Sequence, residues 1–212
     1  TVMVVWAIRD KKFRIRPALL LKPGKDMTKR FIRFATPVVC NETFWGLGTS
    51  LFPTIMGHMQ GSQEILAAYA IAGNITNLCT VGVFAIAGTT AIFIGQEIGS
   101  GHMDQVYRLG ALLDLLAVLF GAAAGALFMG VLHLLFIPVL YPLFKLSAGA
   151  GRICTLMLTI QFCFMPLRSF DTTNIVGVLR GGGDVRMATI IDLLPLWVAA
   201  IPLAAILGLV VK

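Results

Sequence analysis

Residues 109–140 read LGALLDLLAVLFGAAAGALFMGVLHLLFIPVL, and Asp114 is the one charged residue in that run. A helix crossing the ~30 Å hydrocarbon core of a bilayer needs about 20 mostly apolar residues. This run exceeds that length. Four others do as well, at 31–56, 66–95, 153–178 and 187–211. The pattern predicts an all-α, polytopic membrane helix bundle of about five transmembrane helices. Composition agrees: 58% of the residues are hydrophobic and 13% are charged, against about 25% charged in soluble domains. Mean hydropathy is +0.88.

The formal charge of +7 does not indicate a nucleic-acid binder. Ten of the 17 Lys and Arg residues fall between Arg9 and Arg33, at the start of the first full run, with only Phe13 and Phe31 among them and no nucleic-acid motif. A basic juxtamembrane segment is the signature of a cytoplasmic loop next to anionic lipid. The segments 9–33, 96–108 and 179–186 carry ten, one and two basic residues, while 57–65 and 141–152 carry none and two. The first set is therefore expected on the cytoplasmic side. Cys40, Cys79, Cys154 and Cys163 all lie in apolar runs without metal-ligand spacing and are read as small hydrophobes. The opening residues 1–8 look like the end of a preceding transmembrane helix, 9–30 like a basic cytoplasmic loop, and 31–212 like one incomplete transmembrane lobe.

Acidic residues inside the runs carry the functional signal, because a carboxylate at membrane depth costs several kcal/mol unless it has a partner or a task. Glu42 is nine residues beyond Arg33, or ~14 Å at helical rise, close to mid-bilayer. No basic residue lies within a turn of it. Asp171 is nine residues before Arg180 and reaches a similar depth from the same side. Two carboxylates at one level can share a cation or titrate as a coupled pair.

Two readings stand for Asp171, since Arg168 is three residues before it on the same helical face and could neutralise it locally. Gln161, Arg168 and Asn174 extend that polar stripe. Asn41 beside Glu42, and Asn74 with Asn77 in the second run, are further candidates to line a cavity. Asn74 and Asn77 serve equally well as interhelical hydrogen-bonding groups. Asp114 and Asp192 lie near Arg108 and Arg186 and are read as structural pairs or caps. His133 is read as a satisfied interior histidine.

Gly121-Ala-Ala-Ala-Gly125 is a GxxxG spacing that lets helices approach closely. Two glycine-rich turns follow the second and fourth runs, with Gly95 and Gly99 in one and Arg180, Gly181 and Asp184 in the other. Neither has the Lys-Ser/Thr of a phosphate loop, so they are read as helix stops and possible hinges, with Asp184 capping the next helix. HExxH, a nucleophile constellation and paired catalytic ligands are all absent from the sequence, which argues against an enzyme.

Taken in order, Pro37 with Asn41-Glu42 and Trp45-Gly46-Leu47-Gly48, then Gly95-Gln96-x-x-Gly99-x-Gly101, then Gly177-Val-Leu-Arg180-Gly-Gly-Gly-Asp184-x-Arg186 resemble the multidrug and toxic compound extrusion (MATE) family. The resemblance covers residues 31–212 and is to the second half of such a transporter, with its final helix and the first half lacking. It implies a twelve-helix, two-lobe antiporter of the cell inner (plasma) membrane. Such a protein expels small organic cations in exchange for Na⁺ or H⁺ and needs no other cofactor. Its partners would be the bilayer and the N-terminal lobe of the same protein. The family's acid in the first helix of the second lobe falls on Glu42. Its acid in the fourth helix falls on Asp171. These two would hold Na⁺ in a sodium-coupled member. Some branches place the coupling acid in the first lobe. A flippase for lipid-linked saccharides, which would want several cations in its cavity, and a non-transporting membrane scaffold are the alternatives.

Overall fold

The computed structural model describes residues 24–210. The expected end of a preceding helix at 1–8, and residues 9–23 of the basic loop expected at 9–30, lie outside the described residues. The described residues form helices and no strand. In chain order these are α1 (Lys25–Gly57), α2 (Ser62–Gly99), α3 (Met103–Leu143), α4 (Ala148–Cys163), α5 (Met165–Leu179) and α6 (Val185–Leu209). By length and apolarity α2, α3 and α6 each suffice to cross a membrane, and α4 with α5 can make a fourth, bent span.

The run expected at 31–56 is helical, but it starts at Lys25 and is not among the helices apolar enough to pass as a span. Its polarity explains this. Asn41, Glu42, Thr43, Thr49 and Ser50 interrupt the hydrocarbon, and Asn41 is one of only two buried residues in α1.

The expected single helix at 153–178 is broken at Phe164, where α4 and α5 meet at 55°. Pro166 has no N–H to offer the carbonyl of Phe162, so the regular ladder fails there. That carbonyl packs against Gly125 of α3, where a Cβ would collide with it. Gly121 makes the same accommodation one turn away: a Cβ would sit 2.8 Å from the Met165 carbonyl oxygen and 2.9 Å from Pro166 Cα. The GxxxG pair is therefore the seat on which the bend rests. Ser147 caps α4, its Oγ accepting from the Ala150 N–H at 3.1 Å.

The core lies among α2, α3, α4 and the start of α5. Ala68, Ala72, Cys79 and Val83 supply the α2 face, packed against Leu132 and Phe136 of α3 and Leu158 and Phe162 of α4. Cys79 and Cys154 are buried free thiols within it, while Cys40 and Cys163 are exposed. Helices α1 and α6 form a separate pair alongside. Gly48 admits Leu196, whose Cδ2 would be 2.8 Å from a Cβ there. Phe44 meets Trp197 edge-on at 6.3 Å. His133, expected in the interior, lies on the outer surface of the bundle.

Candidate functional site

Where the α1–α6 pair faces the four-helix core, a cavity of about 600 Å³ opens. Its charged lining is Glu42 from α1, Arg168 and Asp171 from α5, Arg180 just past the end of α5, and Asp192 from α6. Trp45, Phe84 and Phe164 supply aromatic surface to the same space. Three carboxylates and two guanidiniums thus meet on walls that are otherwise apolar.

The ion pairs differ from the local ones expected. Arg180 Nη1 donates to Glu42 Oε1 at 2.7 Å, and its Nη2 donates to Asp192 Oδ2 at 3.4 Å. The same Asp192 oxygen accepts from Asn41 Nδ2 at 2.9 Å. Asp192 is therefore paired with Arg180 and Asn41, not with Arg186. Geometry gives the reason: Arg186 is in the first turn of α6, exposed, whereas Asp192 is nearly two turns further in, on the side that faces α1.

Asp114 makes no ion pair with Arg108 among the described residues, and its Oδ1 is buried without a partner. Arg168 and Asp171 line the cavity together, yet no ion pair joins them among the described residues. A helix three residues apart brings two side chains to one face, but both must also turn toward each other.

Of the remaining cavity candidates, Asn41 is buried behind Asp192. Gln161 accepts from Thr76 Oγ1 and so ties α4 to α2. Asn74 and Asn77 are exposed on α2, and Asn174 is half-buried on α5. None of these is in the cavity lining. Among the described residues no group of three or more His, Cys, Asp and Glu side chains is placed to hold a metal ion.

The turn after α5, which begins at the cavity-lining Arg180, packs against the end of α2. A Cβ on Gly181 would be 2.6 Å from Ala91 Cα, and one on Gly95 would be 3.7 Å from the Gly181 carbonyl oxygen, so α2 packs directly on the α5–α6 turn. Gly183 closes that turn with φ of 90°, in the left-handed region that suits glycine. Asp184 then caps α6, its Oδ1 accepting from the Met187 N–H at 3.2 Å, as its position in sequence led one to expect. Gly99 ends α2 without close neighbours. Sequence reasoning missed the bridging role of Arg180 and the membership of Asp192. The available signal was that Asp192 is a further acid inside an apolar run, with Arg180 in the short turn between that run and the one before it.

A bent, polytopic membrane helix bundle around a cavity lined by exposed and half-buried charge is the class that these features define. The MatE family model matches residues 38–206, and the chain belongs to that family. It is 24% identical to "Probable multidrug resistance protein NorM" of Thermotoga maritima over 94% of this chain and 41% of that protein. It is 24% identical to "Uncharacterized transporter YisQ" of Bacillus subtilis over 95% of this chain and 43% of that one. A NorM of Bacillus cereus is 25% identical over 89% of the chain and 40% of its own length. The chain thus spans about two-fifths of the length of the curated relatives it matches. No solved structure matches it.

Proposed function

We propose that this chain forms part of a multidrug exporter that exchanges small organic cations for Na⁺ or H⁺ across the plasma membrane, working with a second lobe that faces its cavity. The observation that carries the proposal is the cavity that holds Glu42, Asp171 and Asp192 against Arg168 and Arg180. On formal charges the balance is one negative, from three carboxylates and two guanidiniums. A site with that balance accepts one monovalent cation at a time, which is the exclusivity an exchanger needs. The aromatic faces of Trp45, Phe84 and Phe164 suit an organic cation, because ring quadrupoles attract desolvated positive charge. Glu42 is the principal ligand in this reading. Its side chain is 58% exposed, the most open of the carboxylates in the ion-pair network, and Asp171 lines the same space.

The flippase alternative draws some support from a second cavity cation, Arg180. That guanidinium is already committed to two carboxylates, however, and is poorly placed to hold a pyrophosphate.

Glu42→Gln tests the proposal, since it keeps the side chain's size and hydrogen bonding while removing its charge. In everted membrane vesicles carrying the protein at the length its gene encodes, ethidium accumulation driven by a Na⁺ or proton gradient should fall to background. Full gradient-driven transport by a well-folded Gln variant would remove Glu42 from the coupling site.

A further inference from the structure

We infer that Arg180 is a tethered competitor for the transported cation, holding Glu42 while the cavity is empty of cargo and releasing it when a monovalent cation arrives. The inference rests on the reading of Glu42 as a cation ligand and adds the device that controls access to it.

Three observations carry it. Arg180 does not grip one carboxylate with both nitrogens; it spends Nη1 on Glu42 and Nη2 on Asp192. One guanidinium thereby links α1, the end of α5 and α6.

The two halves of that link are unequal. Asp192 has a side chain only 21% exposed and is also held by Asn41, while Arg180 is 17% exposed. Glu42 is 58% exposed and, among the described residues, Arg180 is its one hydrogen-bonding partner. The Asp192 side, longer at 3.4 Å but enclosed and doubly held, is the anchor, and the Glu42 side, shorter at 2.7 Å but open to solvent, is the contact that can open. Exposed ion pairs contribute little, so a competing cation can displace this half.

The backbone beneath Arg180 is held firmly. Gly181 is packed against Ala91, and the Arg180 N–H is bonded to the Ile175 carbonyl at 3.1 Å. Release is therefore a rotation of the Arg180 side chain with its anchor at Asp192 kept, and needs no unfolding of the turn.

Specificity follows from the same geometry. When Arg180 leaves Glu42 it exposes a single carboxylate while remaining on Asp192. That frees one unmatched negative charge, which a monovalent cation neutralises and a divalent one overshoots. Lysine is a poor substitute, since a compact ammonium lacks the planar fork that reaches two separate carboxylates.

The test measures equilibrium binding of tetraphenylphosphonium, a lipophilic monocation, to purified protein of gene-encoded length, together with its uptake into everted vesicles. Arg180→Gln removes the competitor, so binding should tighten about fivefold while uptake falls, because nothing re-enters the site to expel the cation. A purely structural tie would weaken both readouts together. Arg180→Lys keeps the charge without the fork and should tighten binding about twofold; it also serves if the Gln variant is not recovered. Unchanged or weaker binding in these variants, alongside weakened binding in Glu42→Gln, would overturn the competitor and leave the Glu42 reading intact. Binding unaltered by Glu42→Gln would overturn the reading on which the inference stands.

Discussion

Asn41 shows how a single polar side chain can set the electrostatics of this cavity. It is 1% exposed, and its Nδ2 provides the second of two holds on Asp192. A hydrogen bond to a charged group contributes about 1.5–3 kcal/mol. Asn41→Leu keeps the volume and removes that donor, so thermal unfolding in detergent should show a loss of about 1–2 kcal/mol. The loss stays below the full value because the Asn41 Oδ1, which has no partner, disappears with it. Asn74→Leu, on an exposed face of α2, should leave the midpoint unchanged. Equal losses from the two substitutions would show that Asn41 is not supporting Asp192.

At this scale the sequence was legible where cost is local. A carboxylate nine residues beyond the last basic residue of an apolar run is conspicuous wherever its partner lies, so Glu42 was visible. Arg180 as that partner was not, because the two are 138 residues apart and only the fold brings them together. The same distance hid the pairing of Asp192 with Asn41, which are separated by 151 residues.

The elements obey a contiguity rule imposed by lipid: every backbone polar group at membrane depth must be satisfied within its own helix or a close neighbour. That rule makes long apolar runs readable, and α2, α3 and α6 follow them within a few residues. The bend between α4 and α5 was less readable. Prolines are common in membrane helices and most are absorbed, as Pro37 and Pro53 are inside α1. Pro166 breaks its helix because α3 offers two glycines against which the displaced backbone can settle.

The seat makes a paired prediction. A Cβ at Gly121 would meet backbone atoms of Met165 and Pro166, which cannot yield as a flexible side chain can. Gly121→Ala should therefore cost about 1–3 kcal/mol through overpacking and lower the unfolding temperature. Gly130, on the same helix, has nothing within 4 Å of its would-be Cβ. Gly130→Ala should be neutral or stabilising by up to about 1 kcal/mol, from helix propensity alone. A Gly121→Ala protein as stable as its parent would mean that α3 and α5 are not packed this closely.

For the whole molecule, the decisive quantity is which turns share a side of the membrane. The basic loops assign one set to the cytoplasm, and the fold groups the turns independently of charge. At one end Ser147 Oγ donates to Glu64 Oε1 at 2.6 Å, so the α3–α4 turn and the start of α2 lie together. At the other end Gly95, near the end of α2, packs on the Gly181 carbonyl of the α5–α6 turn. The alternation read from Lys and Arg counts and the grouping read from contacts agree on which turns belong together. Contacts alone do not say which end faces the cytoplasm, and there the positive-inside argument decides. Single cysteines at Gln60 and Ser147 should react with a membrane-impermeant maleimide on intact cells, once the two exposed native cysteines, Cys40 and Cys163, are replaced by serine. A cysteine at His102 should react only after the membrane is opened. Labelling at His102 in intact cells with protection at Gln60 would invert the topology. It would leave the cavity itself untouched, because Glu42, Arg180 and Asp192 meet whichever way the bundle is inserted. A mixture of both patterns in one preparation would instead mean dual insertion, which the ten basic residues between Arg9 and Arg33 are placed to prevent.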